Sequence, residues 1–432
     1  MPLAQDQSPA SGEAHAMRVL LVSQHFWPES FRINDVASAL QQAGCEVAVL
    51  TGQPNYPGGV VFEGYRAMGT GGELHNGLEI HRVPLVPRAR GNALRLVVNY
   101  LSFIATAATL GAWQLRHRRF DIVFVYATSP VLQVIAALWL ARLKRCAVVT
   151  WVQDLWPDSL EATGYLRNRR ALAIVARLVR WIYARCDLLL VQSQAFVAPV
   201  RALAGKTPVR YHPNSGDAAS DEPASQAASE AALRLDEGFN VVFSGNLGTA
   251  QGLETVLDAA ELLLDLPDAR FVLVGSGQRS AWLAEEIHRR RLENVQLTGR
   301  FPPECMPGIL AQASALLVSL ANSPAMRLTV PSKVQSYLAA GRPIIAALDG
   351  EGARIVLEAG AGLACPAADA PALATAVRRL HALAPATRAA MGTAGRACFE
   401  QHFALRPLTQ TLVQHFRWAV EEHRSRTATI RG

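Results

Sequence analysis

Lys333 stands at a position in the sequence where a lysine needs an explanation. It follows Pro331 and Ser332 in the stretch PSKVQSYLAAG, whose pattern predicts a helix that starts at these two residues. A cation is disfavoured in the first turn of a helix, because the unpaired N–H groups there carry partial positive charge. The placement therefore favours a bound anion, such as a phosphate, beside Lys333. A surface lysine that points outward is the alternative.

Two glycine-containing loops could also bind phosphate. In FSGNLGTAQGLETV, Gly245, Gly248 and Gly252 stand between a predicted strand and a predicted helix. Glycines there allow backbone N–H groups and the helix dipole to face an anion. In FVLVGSGQRS, Gly275 and Gly277 hold a similar place, although a GxG pair serves as often for close packing. Both loops are candidates, and neither is specific by itself.

A third loop, WVQDLWPDS, contains Asp154 directly after a strand of buried character. We expect its carboxylate to point into a cleft at the end of that strand. A carboxylate placed there can accept a proton or hold a hydroxyl group. A helix N-cap or a local ion pair is the alternative role.

The loop SQHFWPESFRIND, after the first predicted strand, is unusually rich in polar and aromatic residues. These residues are Ser23, His25, Trp27, Arg32, Asn34 and Asp35. Such side chains are costly choices in a loop that only turns the chain, and they favour a binding role. A loop that covers the sheet edge and caps a helix is the alternative.

The elements that must position these loops alternate between strand and helix in two sets. Their strands are continuously apolar, as expected of buried parallel strands. The first set is predicted at 18–23, 46–52, 79–83, 121–127, 147–152 and 187–193, and the second at 240–246, 271–277, 294–300, 313–320 and 343–350. This alternation predicts two doubly wound, Rossmann-like α/β domains that face a central cleft, with ligands at the carboxyl ends of the strands.

Two further patterns support this organisation. Residues 34–44 and 253–266 are predicted helices, and the second places Val256, Leu257, Ala260, Leu263 and Leu264 on one face. Residues 214–238 are rich in Ala, Ser, Asp and Glu, which is typical of a linker between domains.

Composition narrows the possible functions. The chain has 432 residues, of which 50% are hydrophobic, enough for two domains with sizeable cores. Its formal net charge of +7 suggests anionic partners. No zinc-finger spacing, RNP motif or lysine-rich run supports nucleic-acid binding. The six cysteines form no CxxC pair, so neither a zinc nor a redox site is predicted from them.

Six separated motifs carry a resemblance to a known family. They are SQHFWPESFRINDVA, TGQPNYPGG, VQDLWPDS, HPNSGD, GNLGTAQGLETV and PSKVQSYLAAGRPIIAALDGEG. In these motifs, over about residues 17–420, the chain resembles the family 4 retaining glycosyltransferases of GT-B fold. It is most similar to the branch of colanic-acid, capsule and O-antigen synthesis, which includes N-acetyl-L-fucosamine transferases.

The resemblance implies a division of labour along the chain. A disordered tail (1–16) is expected to precede an acceptor-binding domain (17–212) and a linker (213–238). A nucleotide-sugar-binding domain (239–400) and a C-terminal helix that returns to the first domain (401–432) would follow.

The expected site residues combine the loops above with the family's motifs. Catalytic roles are expected for Asp154, Lys333 and Glu351. Donor binding is expected of Gly245, Asn246, Gly248, Gln251, Gly275, Arg300, Arg327, Ser332 and Ser336. Acceptor binding is expected of His25, Arg32, Asn34, Asp35 and Trp156.

The departures from the family's pattern shape these expectations. Most members carry an Arg and a Lys that contact the donor diphosphate where this chain has Asn246 and Gln251. The charge must then come from elsewhere, with Lys333 as the best candidate and Arg327 or Arg300 in support.

The family's pair of glutamates, with seven residues between them, is also missing. At the matching positions the chain has Leu328 and Ser336, so Glu351 is expected to take over one acidic role. The neighbouring branch shows the same PSK pattern, which makes the loss a trait of the branch. Selection of the donor base is expected to depend on the loops GRFPPECM and GSGQ.

The activity that the resemblance implies is transfer of a sugar, such as N-acetyl-L-fucosamine, from a UDP- or GDP-linked donor to a polyprenyl-diphosphate-linked saccharide. No cofactor is expected, and no metal, because the chain has no DxD motif and no HxH or HExxH cluster. A GT-B-like sugar-nucleotide 2-epimerase is the alternative enzyme. A two-lobed binding protein is the alternative without catalysis.

Residues 96–113 raise the question of membrane contact. They are eighteen uncharged residues, at the lower limit of a bilayer span, and arginines flank both ends. A helix in the plane of the membrane surface, or one partly buried in the domain, fits better than a span. With no secretory signal predicted at the N-terminus, we expect a cytoplasmic enzyme that docks peripherally on the inner membrane.

Overall fold

The computed structural model describes residues 16–88, 93–162, 168–216 and 233–431. Residues 1–15 of the predicted tail and 217–232 of the predicted linker lie outside the described residues. Within the described ranges, the predicted alternation of strands and helices is confirmed, and the fold consists of two Rossmann-like α/β sheets with their helices.

The first sheet has eight strands in the order β3-β4-β2-β1-β5-β6-β7-β8. They are β1 Arg18–Val22, β2 Glu46–Gly52, β3 Gly71–His75, β4 Leu78–Val83, β5 Ile122–Ala127, β6 Ala147–Val152, β7 Leu188–Val191 and β8 Val209–Tyr211. Strand β3 runs antiparallel to β4, whereas β1 pairs in parallel with both β2 and β5. Strands β3 and β8 were not predicted, because β3 is mostly exposed and has no apolar run and β8 has only three residues.

The helices that alternate with this sheet carry its connections. They are α1 Ile33–Gln42, α2 Ala93–Thr106, α3 Ala112–Gln114, α4 Val134–Lys144, α5 Asp158–Ala162, α6 Arg169–Tyr183 and α7 Val197–Ala204. A π-helical turn, Ala107–Gly111, joins α2 to α3, so that Leu94–Gln114 is one continuous helix.

The second sheet has six strands in the order β11-β10-β9-β12-β13-β14. They are β9 Phe239–Ser244, β10 Ala269–Val274, β11 Val295–Gly299, β12 Ala315–Ser319, β13 Ile344–Ala347 and β14 Gly362–Cys365. All neighbouring pairs are parallel, which brings the carboxyl ends of the strands to one edge. Strand β14 was not predicted; it has four residues, of which three are only partly buried.

The helices of the second set are α8 Leu253–Glu261, α9 Ser280–Arg290, α10 Met306–Ala311, α11 Pro324–Leu328, α12 Ser332–Ala340, α13 Glu351–Glu358, α14 Ala370–Ala382, α15 Pro385–His402 and α16 Leu405–Arg431. The apolar face predicted for α8 is confirmed in part. Val256, Leu257, Ala260 and Leu263 are buried, but Leu264 is half exposed. The helix was predicted to continue to residue 266 but ends at Glu261, so Leu264 lies outside it.

The chain divides into two compact units. The first consists of Met1–Tyr126, Leu132–Val149 and Phe416–Gly432, and the second of Ala127–Val131 and Thr150–His415. The boundaries predicted from the sequence separate an acceptor-binding domain (17–212) from a nucleotide-sugar-binding domain (239–400). This division by ligand stays a prediction.

Candidate functional site

A cavity of about 410 Å³ opens at the carboxyl ends of β9, β10 and β11 in the second unit. This is the size of a small-molecule site, and it lies where open α/β sheets bind their ligands. Its lining consists of Ser244, Gly245, Asn246, Val274, Gly275, Ser276, Arg300, Phe301, Pro303 and Met306. Four predicted donor-binding residues, Gly245, Asn246, Gly275 and Arg300, are therefore together at this cavity.

Close packing of two loops shapes the floor of the cavity. Gly275 has a φ of +143°, and a Cβ built on it would lie 1.9 Å from the carbonyl oxygen of Gly245. A Cβ on Gly277 would lie 2.5 Å from the carbonyl oxygen of Leu247. The GxG pair therefore does serve as a packing device, and that packing leaves the backbone beside the cavity exposed to a ligand.

The side chain of Tyr337, in α12, is hydrogen-bonded to the end of strand β9. Its hydroxyl oxygen accepts a 2.8 Å hydrogen bond from the backbone N–H of Ser244, and the two hydroxyl groups lie 3.1 Å apart. Burial raises the pKa of Tyr337 to about 12, so the hydroxyl stays neutral near pH 7. The turn from β9 into the glycine loop is thus held by a side chain that the sequence analysis did not identify.

Lys333 lies in the first turn of α12, as predicted, and its side chain extends under the glycine loop. Its Nζ donates a 2.5 Å hydrogen bond to Oε1 of Gln251 and lies 4.6 Å from the centroid of the Phe243 ring. A Cβ on Gly245 would lie 3.0 Å from Lys333 Cε. No carboxylate of a described residue forms an ion pair with Lys333, and burial lowers its pKa to about 8. The lysine is a partly desolvated cation beside the loop that borders the cavity.

The two arginines proposed to support Lys333 have different surroundings. Arg300 is exposed at the cavity and forms no ion pair with the part of the chain that the structure describes. Arg327 instead lies 3.5 Å from Asp349 and donates to Asn322 at 3.0 Å. Arg300 is therefore the better placed of the two for an anion in the cavity.

Other predicted donor-binding residues lie within the glycine loop or within α12. Gly248 is buried, and a Cβ there would lie 2.7 Å from Nδ2 of Asn246. Ser332 is exposed at the start of α12, and Ser336 is partly buried one turn later. The locations of these residues do not show whether they bind the donor, so donor binding by them stays a prediction.

Asp154 lies just beyond β6 in the second unit and is bound through one carboxylate oxygen. Oδ2 accepts hydrogen bonds from the backbone N–H of Ser129 at 2.8 Å and from its hydroxyl at 2.9 Å. Oδ1 accepts no hydrogen bond from a described residue. Trp156 is buried, and its indole N–H donates to Ser129 Oγ at 3.0 Å. Ser129 thus orients Asp154 with one oxygen left for a ligand, while the burial of Trp156 favours a positioning role.

Glu351, at the start of α13, is buried and fully engaged. Both of its carboxylate oxygens accept hydrogen bonds from Arg354, at 2.6 and 3.0 Å. Oε1 also accepts a 3.2 Å hydrogen bond from the backbone N–H of Gln194. A catalytic role for Glu351 stays a prediction, and it would have to compete with these bonds.

In the first unit, His25 is held by a buried carboxylate. Its Nδ1 lies 3.0 Å from Oε2 of Glu29, while Oε1 accepts backbone N–H groups of Asn55 at 2.7 Å and Tyr56 at 2.6 Å. The imidazole ring stacks on Phe31 with centroids 5.2 Å apart. Nε2 makes no hydrogen bond to any residue of the described ranges. The predicted acceptor residue is therefore oriented with one nitrogen available.

The other predicted acceptor residues of this loop differ in role. Asn34 accepts from the Trp27 N–H at 3.0 Å and donates to the Glu29 carbonyl at 2.8 Å, so it ties the loop together. Arg32 is partly buried at the helix start, and Asp35 is exposed in the first turn of α1. The contacts of Asn34 therefore fit the alternative to a binding role, in which this loop covers the sheet edge.

Several site residues were missed because their signal lies in contacts between distant segments. Ser129, Glu29 and Tyr337 each orient a predicted residue or loop. Phe301 and Met306 belong to GRFPPECM, which the sequence analysis connected with base selection without naming residues. Among the described residues, no group of three His, Cys, Asp or Glu side chains could hold a metal ion. Metal independence stays a prediction.

Comparison with known proteins agrees with this geometry. A family profile described as "Glycosyl transferase 4-like domain" matches residues 30–215. A second, described as "Glycosyl transferases group 1", matches residues 238–382. The first profile covers the elements from α1 to β8, and the second covers those from β9 to α14, including the residues that line the cavity.

Two relatives and one solved structure extend the comparison. WcaI of Escherichia coli K12, named as a colanic acid biosynthesis glycosyl transferase, is 27% identical over 75% of this chain and 82% of its own. WbjE of Pseudomonas aeruginosa, named as a glycosyltransferase, is 28% identical over 67% of this chain and 72% of its own. The structure of Anabaena HepE in complex with UDP has a TM-score of 0.65 at 14% identity, covering 93% of this chain and all of HepE, which supports the fold alone.

Proposed function

The chain belongs to the family 4 glycosyltransferases of GT-B fold, and on this premise we propose that it moves a sugar from a nucleotide-sugar donor to a polyprenyl-diphosphate-linked saccharide. Its similarity to WcaI and WbjE supports a glycosyltransferase of polysaccharide biosynthesis. The proposed sugar is N-acetyl-L-fucosamine or a related hexose, for a surface polysaccharide such as colanic acid, capsule or O-antigen.

The observation that carries the donor side is the position of Lys333. It lies under the glycine loop beside the cavity, partly desolvated and without a carboxylate partner among the described residues. The leaving group of a nucleotide sugar is a diphosphate, whose negative charge grows as the glycosidic bond breaks. A cation already held in place stabilises that charge without reorganisation. Arg300 supplies a second cation, and UDP, the ligand in the HepE structure, is the first nucleotide to test.

The proposed reaction retains the configuration of the sugar. The bond between the anomeric carbon and the phosphate oxygen breaks, and the acceptor hydroxyl forms the new bond on the same face. Its proton passes to the departing phosphate. Asp154, with Oδ1 available, and His25, with Nε2 available, are the proposed ligands of acceptor hydroxyl groups. We propose no metal in this step, because the protein's own cations serve the diphosphate.

The proposed location follows from the acceptor. A polyprenyl diphosphate is anchored in the inner membrane, so the enzyme would work peripherally at its cytoplasmic face. The alternative of a sugar-nucleotide 2-epimerase is not favoured by the family profiles or the relatives, which are described or named as glycosyltransferases.

A transfer assay in excess chelator tests the proposal. UDP-N-acetyl-L-fucosamine, UDP-N-acetylglucosamine and GDP-fucose are offered with bacterial polyprenyl-diphosphate saccharides, and products are read by mass. A gain of one sugar on the lipid is expected, and NMR of the product then reports the anomeric configuration. Altered free nucleotide sugar with no gain on the lipid would contradict the proposal in favour of the epimerase.

A further inference from the structure

The continuous helix Leu94–Gln114 in the first unit is apolar on two sides. Among the described residues it is the one helix long and apolar enough to cross a membrane by length and composition. Its inner side is buried, and includes Phe103 and Ala107. Its outer side carries Val97, Leu101 and Trp113, whose exposed fractions are 50%, 53% and 61%. Surface helices normally present polar residues to water, so the apolar outer side of this helix indicates an interaction site.

The inner side fixes the helix to its unit. Asn99 is buried, accepts a 2.7 Å hydrogen bond from the Gln24 side chain and donates one of 2.7 Å to the Val86 carbonyl. A Cβ on Gly111 would lie 2.9 Å from Leu50 Cδ2, so strand β2 packs directly on the π-helical turn. Insertion of this helix across a bilayer would break these contacts, and the outer side is what remains available.

Helix α4 extends the same apolar surface. Trp139 and Leu143 are about half exposed, and the indole N–H of Trp139 donates to the carbonyl of Ala108 at 3.1 Å. The Lys144 ammonium donates to the Arg118 carbonyl at 2.9 Å, which holds the end of α4 beside the residues that follow the long helix. We call this surface the docking face; it consists of Val97, Leu101, Leu110, Trp113, Trp139 and Leu143.

Positive charge surrounds the docking face. Residues 80–153 contain ten Lys and Arg residues against one Asp, a net charge of +9, whereas the whole chain has +7. Two of the ten, Arg82 and Arg118, are paired with Glu73 and Glu79. The single acid, Asp121, is paired with Arg18. The exposed arginines of this region without an ion pair to any described residue are Arg95, Arg116, Arg119, Arg142 and Arg145. The Arg116 guanidinium lies 4.3 Å from the centroid of the Trp113 ring. Tryptophan and arginine together are typical of the interface between water and lipid.

From this combination we propose that the docking face binds the surface of a bilayer that carries anionic phospholipids. The apolar side chains enter the head-group region, and the arginines contact lipid phosphates. A second copy of the chain is the less suitable occupant, because a two-fold interface would bring the same positive surfaces together. The inference rests on the proposed function. It adds to it the surface through which the enzyme would contact the membrane that contains the acceptor.

Vesicle flotation with the full chain tests the inference without donor or acceptor. Vesicles of phosphatidylethanolamine with phosphatidylglycerol are compared with vesicles of phosphatidylcholine, at low and high salt. Wild type is expected to float with the anionic vesicles and to lose binding as salt rises, because head-group attraction is screened. Leu101→Glu and the pair Arg142→Gln/Arg145→Gln should each weaken binding at least about tenfold.

Matched controls lie on other surfaces. Leu357 is as exposed as Leu101, on α13, so Leu357→Glu should float like wild type. The pair Arg291→Gln/Arg379→Gln removes the same charge outside the docking face and should also leave flotation unchanged. Thermal melting and circular dichroism show whether each variant is folded.

Three results would overturn the inference. They are wild type that does not float with anionic vesicles, folded Leu101→Glu that floats as well as wild type, and a wild-type dimer that Leu101→Glu separates into monomers. Transfer to detergent-solubilised acceptor is measured in parallel. Wild type that transfers sugar but does not float rejects the docking face alone, whereas wild type that floats but does not transfer sugar rejects the proposed function alone.

Discussion

Lys333 Nζ donates a 2.5 Å hydrogen bond to Oε1 of Gln251, so a cation at the start of a helix is held by a neutral amide. A carboxylate at the same place would neutralise the lysine and compete with an anionic ligand. The amide orients the ammonium group and leaves its charge available. In the proposed function, this relationship lets a chain with Asn246 and Gln251 in the glycine loop present a cation to the donor diphosphate.

Gln251→Glu tests that relationship with almost no change in shape. The new carboxylate should pair with Lys333, raise its pKa and compete with the donor diphosphate. We expect the KM for the nucleotide sugar to rise about tenfold or more, as for a charge-assisted bond. Gln251→Leu, which removes the hydrogen bond without adding charge, is the control and should have a smaller effect. An unchanged KM in Gln251→Glu would argue against contact between Lys333 and the donor.

The pH dependence of donor use should report Lys333. Burial lowers its pKa to about 8, so the free enzyme loses this positive charge as the pH rises through 8. The kcat/KM for the donor should therefore be constant below that pH and fall by about tenfold per pH unit above it. In Gln251→Glu the decline should shift to higher pH, because the carboxylate raises the pKa of Lys333. A profile that is flat up to pH 9.5 would show that the charge of Lys333 is not used.

The same pKa has a consequence for stability. The ordinary pKa of lysine is about 10.4, so the unfolded chain binds more protons than the folded chain between pH 8 and 10. The charged, buried lysine thus lowers the free energy of unfolding below pH 8, and this cost fades as the pH rises. Lys333→Met should accordingly be more stable than wild type at pH 7, by a margin that shrinks at pH 10 in urea titrations.

Asp154→Asn separates acid–base chemistry from positioning. The amide oxygen can still accept the two hydrogen bonds from Ser129, so the fold should be retained. If the carboxylate holds or deprotonates an acceptor hydroxyl, transfer should fall by about 10² or more. Ser129→Ala removes the orienting hydroxyl and should reduce transfer less, without a change in the donor KM. Wild-type turnover in Asp154→Asn would remove Asp154 from the reaction.

Glu29→Gln tests the dyad with His25. The amide cannot accept from both the imidazole and the two backbone N–H groups, so one bond is lost or reversed. We expect a loss of about 1–3 kcal/mol in the free energy of unfolding and a higher acceptor KM, with the donor KM unchanged. Exposed Glu63→Gln is the matched control. A raised donor KM with an unchanged acceptor KM would contradict the assignment of His25 to the acceptor.

Sequence alone predicted the fold well because buried parallel strands are recognisable as apolar runs. It failed for β3, β8 and β14, which are exposed, partly buried or short, and for the end of α8, which was predicted at residue 266 and lies at Glu261. The glycine loops and Lys333 were also predictable, since their residue types are unusual at the ends of strands and helices.

The partners of the site residues were not predictable. Lys333 and Gln251 are 82 residues apart, and Ser129 and Asp154 are 25 apart. Such hydrogen bonds depend on how distant segments pack, and no local pattern encodes them. For the same reason the sequence could not choose between Arg300, which lines the cavity, and Arg327, which is paired with Asp349.

The most direct test of the central claim is the binding of nucleoside diphosphate to wild type and to Lys333→Ala, measured by calorimetry in excess chelator. UDP and GDP are each compared with the corresponding nucleoside. We predict that one diphosphate binds wild type, that Lys333→Ala weakens it by about 10²-fold, and that nucleoside binding is unchanged. Equal affinity of the diphosphate for both proteins would contradict the assignment of Lys333 to the leaving group.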